Sequence, residues 1–292
     1  MTSSYRRRSG DRKEGRLLRS LPAFNKFIPF IMPQRSDACN FYEESYEVTD
    51  ADKCLRAERV SGYKGMSFLH FIIAAYIRCV SMLPGVNRFC LGRRIYARDS
   101  IEVVLTIKRS LAIEASDATV KVRFEPTDTI FDVYRKINDK IDEVKSDSGS
   151  GAEDIAETLS RAPRFFLKIV FFILKVLDNN GKLPQKLLDA SPFHASMSIT
   201  DAGSLRVGPV FNHLPSFGTL PVSITFGSKR HVYELDRHGE TVDHKYLDAK
   251  FTLDERICDR PYYAQFLQAM RYIFAHPEIL EHSPTRVVED VG

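Results

Sequence analysis

Hydrophobic positions change their period several times along the chain, and each change marks an element. MSFLHFIIAAYIRCVSMLPGVN, from Met66 to Asn87, carries apolar residues on every side and stops at Pro84-Gly85, the pattern of a buried helix ended by a breaker. SIEVVLTIKRSLAIEA and ATVKVRFEP are rich in β-branched residues and alternate in places, which predicts strands. Thr127 or Asp128 then stands where a cap belongs, ahead of a helix with Ile130, Val133, Tyr134, Ile137, Ile141 and Val144 on one face. SDSGSG, Ser146 to Gly151, reads as a flexible surface connection.

The second half opens with an apolar helix and a Gly-Pro-punctuated strand region from Ala195 to Gly227. A hairpin follows, its strands KRHVYELD and ETVDHKYLDAKFTL joined around His238-Gly239. The last helix places Phe266, Leu267, Met270, Ile273 and Phe274 on one face, with Pro261 near its start and Pro277 past its end. These elements predict one α/β domain with a mixed β-sheet flanked by helices, not strict βαβ units. The runs on either side of SDSGSG form two halves of that sheet.

The apolar helix, RAPRFFLKIVFFILKVL, is the most hydrophobic segment, yet its longest uninterrupted apolar run is Ile169 to Leu174. A membrane span needs about 18 to 20 residues. Arg161, Arg164, Lys168 and Lys175 form one narrow basic stripe on it. Burial against the sheet or a partner subunit is the expectation, with peripheral contact to a membrane surface as the alternative.

Charge adds a boundary. The first twenty residues hold Arg6, Arg7, Arg8, Arg12, Lys13, Arg16 and Arg19 against Asp11 and Glu14, while the whole chain carries only +4. The basic character therefore belongs to a leader, read as a flexible solvated arm over residues 1–20. The domain is expected over 21–282 and a flexible tail over 283–292. No nucleic-acid partner is expected from so local a charge.

Five scattered cysteines, Cys39, Cys54, Cys79, Cys90 and Cys258, contain no C-x-x-C pair. They predict neither a disulfide framework nor a zinc site, and point to a reducing, cytoplasmic setting. No apolar core follows the charged N-terminus, so no secretory signal is expected. His231, His238 and His244 read as hairpin surface, and no metal is expected. The chain has neither a phosphate-binding loop nor a dinucleotide fingerprint.

Four segments in order carry a resemblance over about residues 40 to 280. They are MLPGVN, GKLPQKLLDASPF, SMSITDAGSLRVGPVFNHLPSFGTLPVSITFGS and LDERICDRPYYAQFLQAMRYIFAHPEIL. Together they resemble the catalytic domain of the 2-oxoacid dehydrogenase acyltransferases, in a short stand-alone form without a lipoyl domain or its attachment lysine. The resemblance implies the chloramphenicol acetyltransferase-like fold and a homotrimer with its active site at the subunit interface. Acyl-CoA would be the substrate, coenzyme A entering from one side and an acyl acceptor from the other.

The resemblance also implies roles. The family's D-H-R-x-x-D-G falls on Asp254 to Arg260, so Glu255 stands where the histidine base is expected and Arg260 where the glycine is. Asp254, Arg256 and Asp259 are kept. The T-I-S-N-L-G strand falls on Ser198 to Gly203, placing Thr200 as donor to the oxyanion, with Asp201 in place of asparagine. Glu255, Thr200 and Asp259 are thus the expected catalytic residues, supported by Asp254, Arg256, Ser198 and His213.

A thiol near pKa about 8.5 is better matched by an imidazole near about 6.5 than by a carboxylate near about 4.3. Two readings follow: a CoA-dependent acyltransferase with Glu255 as base, or a catalytically degenerate trimeric scaffold in which Glu255 is salt-bridged to Arg256 or Arg260. His213 and His194 could supply an imidazole if the pocket is rearranged, and Cys258 is a third nucleophilic candidate, without a base near it in sequence.

Overall fold

The computed structural model describes residues 6–108, 117–146 and 162–291. Its main sheet has six strands: β2 (Cys39–Glu47), β5 (Ile101–Lys108), β6 (Asp117–Phe124), β7 (Met197–Asp201), β8 (Val222–Leu235) and β9 (Thr241–Asp254). They lie in the order β2-β9-β8-β7-β5-β6. β7 runs parallel to both β8 and β5, and the other pairs are antiparallel, so the sheet is mixed as expected. A second, three-stranded antiparallel sheet joins β1 (Gly15–Leu17), β4 (Arg94–Arg98) and β3 (Arg88–Leu91).

One face of the main sheet makes the core. Met197, Ile199, Val222, Ile224, Phe251 and Leu253 alternate inward and are buried against α3 (Phe68–Met82) and α7 (Arg260–Ala275). Helix α3 is buried from Phe68 to Ser81 apart from the half-buried Leu69, and all five predicted apolar positions of α7 are buried. Helix α2 (Thr49–Ser61) is tied to the sheet through Asp52, which pairs with Lys229 at 2.5 Å and Lys245 at 2.8 Å. The predicted hairpin is β8–β9, and its turn holds Gly239 at φ 79°, a left-handed conformation that glycine adopts freely.

Four expectations need correction. Helix α4 (Ile130–Ser146) is capped by Thr129, neither Thr127 nor Asp128: Thr129 Oγ1 accepts from Asp132 N at 3.3 Å while Thr129 N donates to the Asp132 carboxylate at 3.0 Å. The described part of the leader, residues 6–20, is not a free arm. Arg12 is buried and pairs with Glu14 at 2.9 Å and Asp178 at 3.0 Å, while Leu18 and Leu21 pack with Ile95 and Ala97. A basic segment finds its carboxylates far along the chain, which a local charge count does not register. The tail is docked too, since Asp290 forks onto Arg88 at 2.5 and 2.7 Å and Val288 N bonds the Ser81 carbonyl.

The fourth correction concerns one branch of the expectation for the basic-striped helix, α5 (Arg164–Asn179): it is not buried against the sheet, and a partner subunit or a membrane surface remains as its cover. It meets the body through half-buried Leu167, Val170, Leu174 and Leu177, the buried Asp178 and an edge contact of Phe171 with Phe217, leaving Phe165, Phe166 and Phe172 exposed. Arg161 and most of SDSGSG lie outside the described residues. Helices α1 (Ala23–Ile31) and α6 (Gln185–Ala190) complete the described set.

Candidate active site

The end of β9 is fixed by a buried ion cluster. Asp254 is fully buried; Arg256 forks onto it at 2.8 and 2.7 Å, and Arg35 reaches it at 3.2 Å. Burial pulls the Arg256 guanidinium down, but its fork on Asp254 outweighs that and holds it above its ordinary value. Burial lowers Arg35, with Asp254 pulling it back. Arg35 also donates to the carbonyls of Gly218, at 2.8 Å, and Pro215. Gly218 has φ 86°, and a Cβ there would lie 2.3 Å from the Phe193 carbonyl oxygen, so only glycine keeps this approach.

Between the two committed residues, Glu255 faces the other way. Its N–H bonds the Ala38 carbonyl at 2.8 Å, holding the backbone. Its side chain is 28% exposed and forms an ion pair with the exposed Arg260, Nε standing at 3.7 Å, which is the Arg260 pairing expected above but is beyond hydrogen-bond reach. Arg256 therefore does not neutralise Glu255, because Asp254 occupies it. Tyr42 lies beside the pair: burial raises its phenol, Arg260 opposes and Glu255 adds.

Thr200 lies on the sheet face opposite the main core. There Ser198 donates to Ser223 at 2.9 Å, and Thr200, Thr225 and Thr252 extend a row of hydroxyls across three strands. Asn212 spans two of them, its amide donating to Thr200 Oγ1 at 3.1 Å and to Thr225 Oγ1 at 3.0 Å. With one lone pair engaged, the Thr200 O–H is free to donate. Asn212 was not singled out from sequence; its place in PVFNHLP within the matched segment was the available signal. Asp201 turns away, accepting from Ser204 N at 2.9 Å, and burial raises its carboxyl while the N–H groups of Ser204 and Gly203 pull it back.

The remaining candidates are placed elsewhere. Asp259 accepts from Tyr262 N at 3.0 Å and caps α7. His213 is exposed, and His194 is buried between Asp178 at 3.1 Å and Ser191 at 2.7 Å. Cys258 is buried, and burial pushes its thiol up, away from nucleophilic character. His231 pairs with Asp243 across the hairpin.

Glu255 and Thr200 do not meet within one chain. Thr200 is in register with Thr225 and that with Lys250, two strands over and five residues short of Glu255. Strand spacing and rise put them about 19 Å apart.

Solved structures with this arrangement of elements include a probable dihydrolipoamide acetyltransferase from Listeria monocytogenes 4b F2365. It is 14% identical with a TM-score of 0.56, over 88% of this chain and 93% of that one. A chloramphenicol acetyltransferase matches at 14% identity and TM-score 0.54, over 86% and 94%. This chain has the chloramphenicol acetyltransferase-like fold. The dihydrolipoamide acetyltransferase of Azotobacter vinelandii shares it at 11% identity and TM-score 0.50, over 88% of each chain. No protein-family model and no curated protein matches the sequence. Within this fold, the Asp254 cluster and the Thr200 row are where the two segments with expected catalytic residues lie.

Proposed function

We propose that this chain is a coenzyme A-dependent acyltransferase that works as a homotrimer. Glu255 of one subunit faces Thr200 of the next. Glu255 takes the proton from an attacking thiol or hydroxyl as it adds to the thioester carbonyl. Thr200 donates to the oxyanion that forms. Collapse breaks the carbon–sulfur bond, and the departing thiolate recovers the proton from Glu255, which returns to its carboxylate.

The observation that carries this reading is the division of labour at the end of β9. Arg35 and Arg256 are both spent on Asp254, so among the described residues the carboxylate at the position of the expected base has no hydrogen bond and only the exposed Arg260, 3.7 Å away, beside it. The Asn212 bond that leaves the Thr200 proton available supports it, as does the fold. The distance between Glu255 and Thr200 in one chain favours a site made between subunits.

The test is release of free coenzyme A from a series of acyl-CoAs, with small thiol and hydroxyl acceptors. Glu255→Ala is expected to lower the rate at least about 100-fold without changing thermal stability, and Glu255→His to retain or improve it. Acyl-CoA binding without turnover, unchanged in Glu255→Ala, would instead assign the chain to the non-catalytic scaffold reading.

A further inference from the structure

We propose that α1 and α5 seat this protein on the surface of an anionic lipid bilayer. Helix α1 exposes Phe24, Phe27, Phe30 and Ile31, spaced by three, three and one, which is a single stripe. Helix α5 exposes Phe165, Phe166, Ile169, Phe172, Ile173 and Val176. So much exposed apolar surface on two helices is the mark of an interaction face. Among the described residues no helix is long and apolar enough to cross a membrane. A helix of 16 residues, about 24 Å long, fits instead along the interface between headgroups and acyl chains.

Charge decides the kind of partner. Two adjacent clefts lie beside these helices and share Pro29 and Arg93. The larger holds about 600 Å³ and offers Arg93 and Lys175, its Arg35 and Arg256 being committed to Asp254; the smaller offers Lys26, Arg93 and Arg94, its Arg19 being paired with Asp11. Neither lining contains a carboxylate. Arg93 is aimed there by a two-residue β3–β4 turn in which Gly92 and Arg93 both have positive φ, 58° and 61°, and its guanidinium stacks on Phe30. Helix α1 has no acidic residue, and the one in α5, Asp178, is buried against Arg12 and His194.

Phenylalanines interleaved with Lys26, Lys168 and Lys175 suit a bilayer, whose acyl boundary takes the rings while its phosphates take the ammonium groups. A second copy of the chain is the other conceivable occupant. The centres of protein interfaces are poor in lysine, and like charges placed together repel.

Sedimentation with vesicles tests the assignment, using phosphatidylcholine with and without phosphatidylglycerol. The full chain should pellet with the anionic vesicles and not with the neutral ones, and high salt should release it. The double substitution Lys168→Glu/Lys175→Glu should weaken binding by at least about 25-fold, near fivefold for each lysine. Phe166→Ser/Phe172→Ser should abolish it, with the circular dichroism spectrum unchanged because both rings are exposed. Equal binding to both vesicles, or none to either, overturns the proposal. So does dissociation of an oligomer by the phenylalanine substitutions in sedimentation velocity without any vesicle binding, which assigns the face to a second copy.

Discussion

Replacing Asn212 by Ala would leave the Thr200 hydroxyl free to turn and the buried Thr225 hydroxyl without its donor. The expected stability loss is about 1–2 kcal/mol, and on the proposed mechanism turnover should fall because Thr200 is no longer aimed at the oxyanion. Thr200→Val removes the donor itself and should cost about 100-fold or more in kcat, with little change in stability because the hydroxyl is only half-buried. Kinetics of the two variants beside their urea unfolding curves check both expectations.

His70 makes a separate prediction at the same scale. Its Nδ1 accepts from Ser67 N in the cap of α3, and burial lowers its pKa to about 4. The unfolded chain binds the proton near pH 6.5, so His70 contributes its stability fully above that pH and loses it as the pH falls toward 4. The loss is on the order of 3 kcal/mol. A His70→Asn variant should show a flatter stability profile across that window.

The junction of β9 with α7 is the element on which the site depends. Removing Arg35 leaves part of a buried carboxylate uncompensated, and Arg35→Ala is expected to cost about 3–5 kcal/mol in urea unfolding. Asp259 belongs to the same junction, and its roles separate cleanly. As a cap alone, Asp259→Ala loses about 1 kcal/mol while Asp259→Asn keeps both stability and turnover. A catalytic role would appear as lost turnover in Asp259→Asn with stability intact.

Elements whose hydrophobic period is strong were legible in sequence: α3, α4, α7 and the β8–β9 hairpin lie where the pattern puts them. The clamp on Asp254 was not, because Arg35 sits 219 residues away in an irregular segment. The same holds for Arg12 and Asp178, separated by 166 residues, which turn a charged leader into a packed edge. Apolar content alone did not place α5, since exposure and burial give one composition when a helix meets a surface outside the chain.

For the whole molecule, the sheet sets the distance that matters. The register from Thr200 through Thr225 to Lys250 is fixed by backbone hydrogen bonds, and it leaves the two candidate catalytic groups on separate parts of one subunit. In the proposed trimer a site shared between copies would resolve that separation and make oligomeric state and activity inseparable. Dilution below the assembly threshold should therefore abolish turnover.

The most direct measurement mixes Glu255→Ala and Thr200→Val subunits, each inactive alone, unfolds them and refolds them together. A trimer with sites made by neighbours regains about a quarter of the wild-type activity, since one interface in four pairs an intact Glu255 with an intact Thr200. A site confined to one chain regains none, and that result would contradict the account.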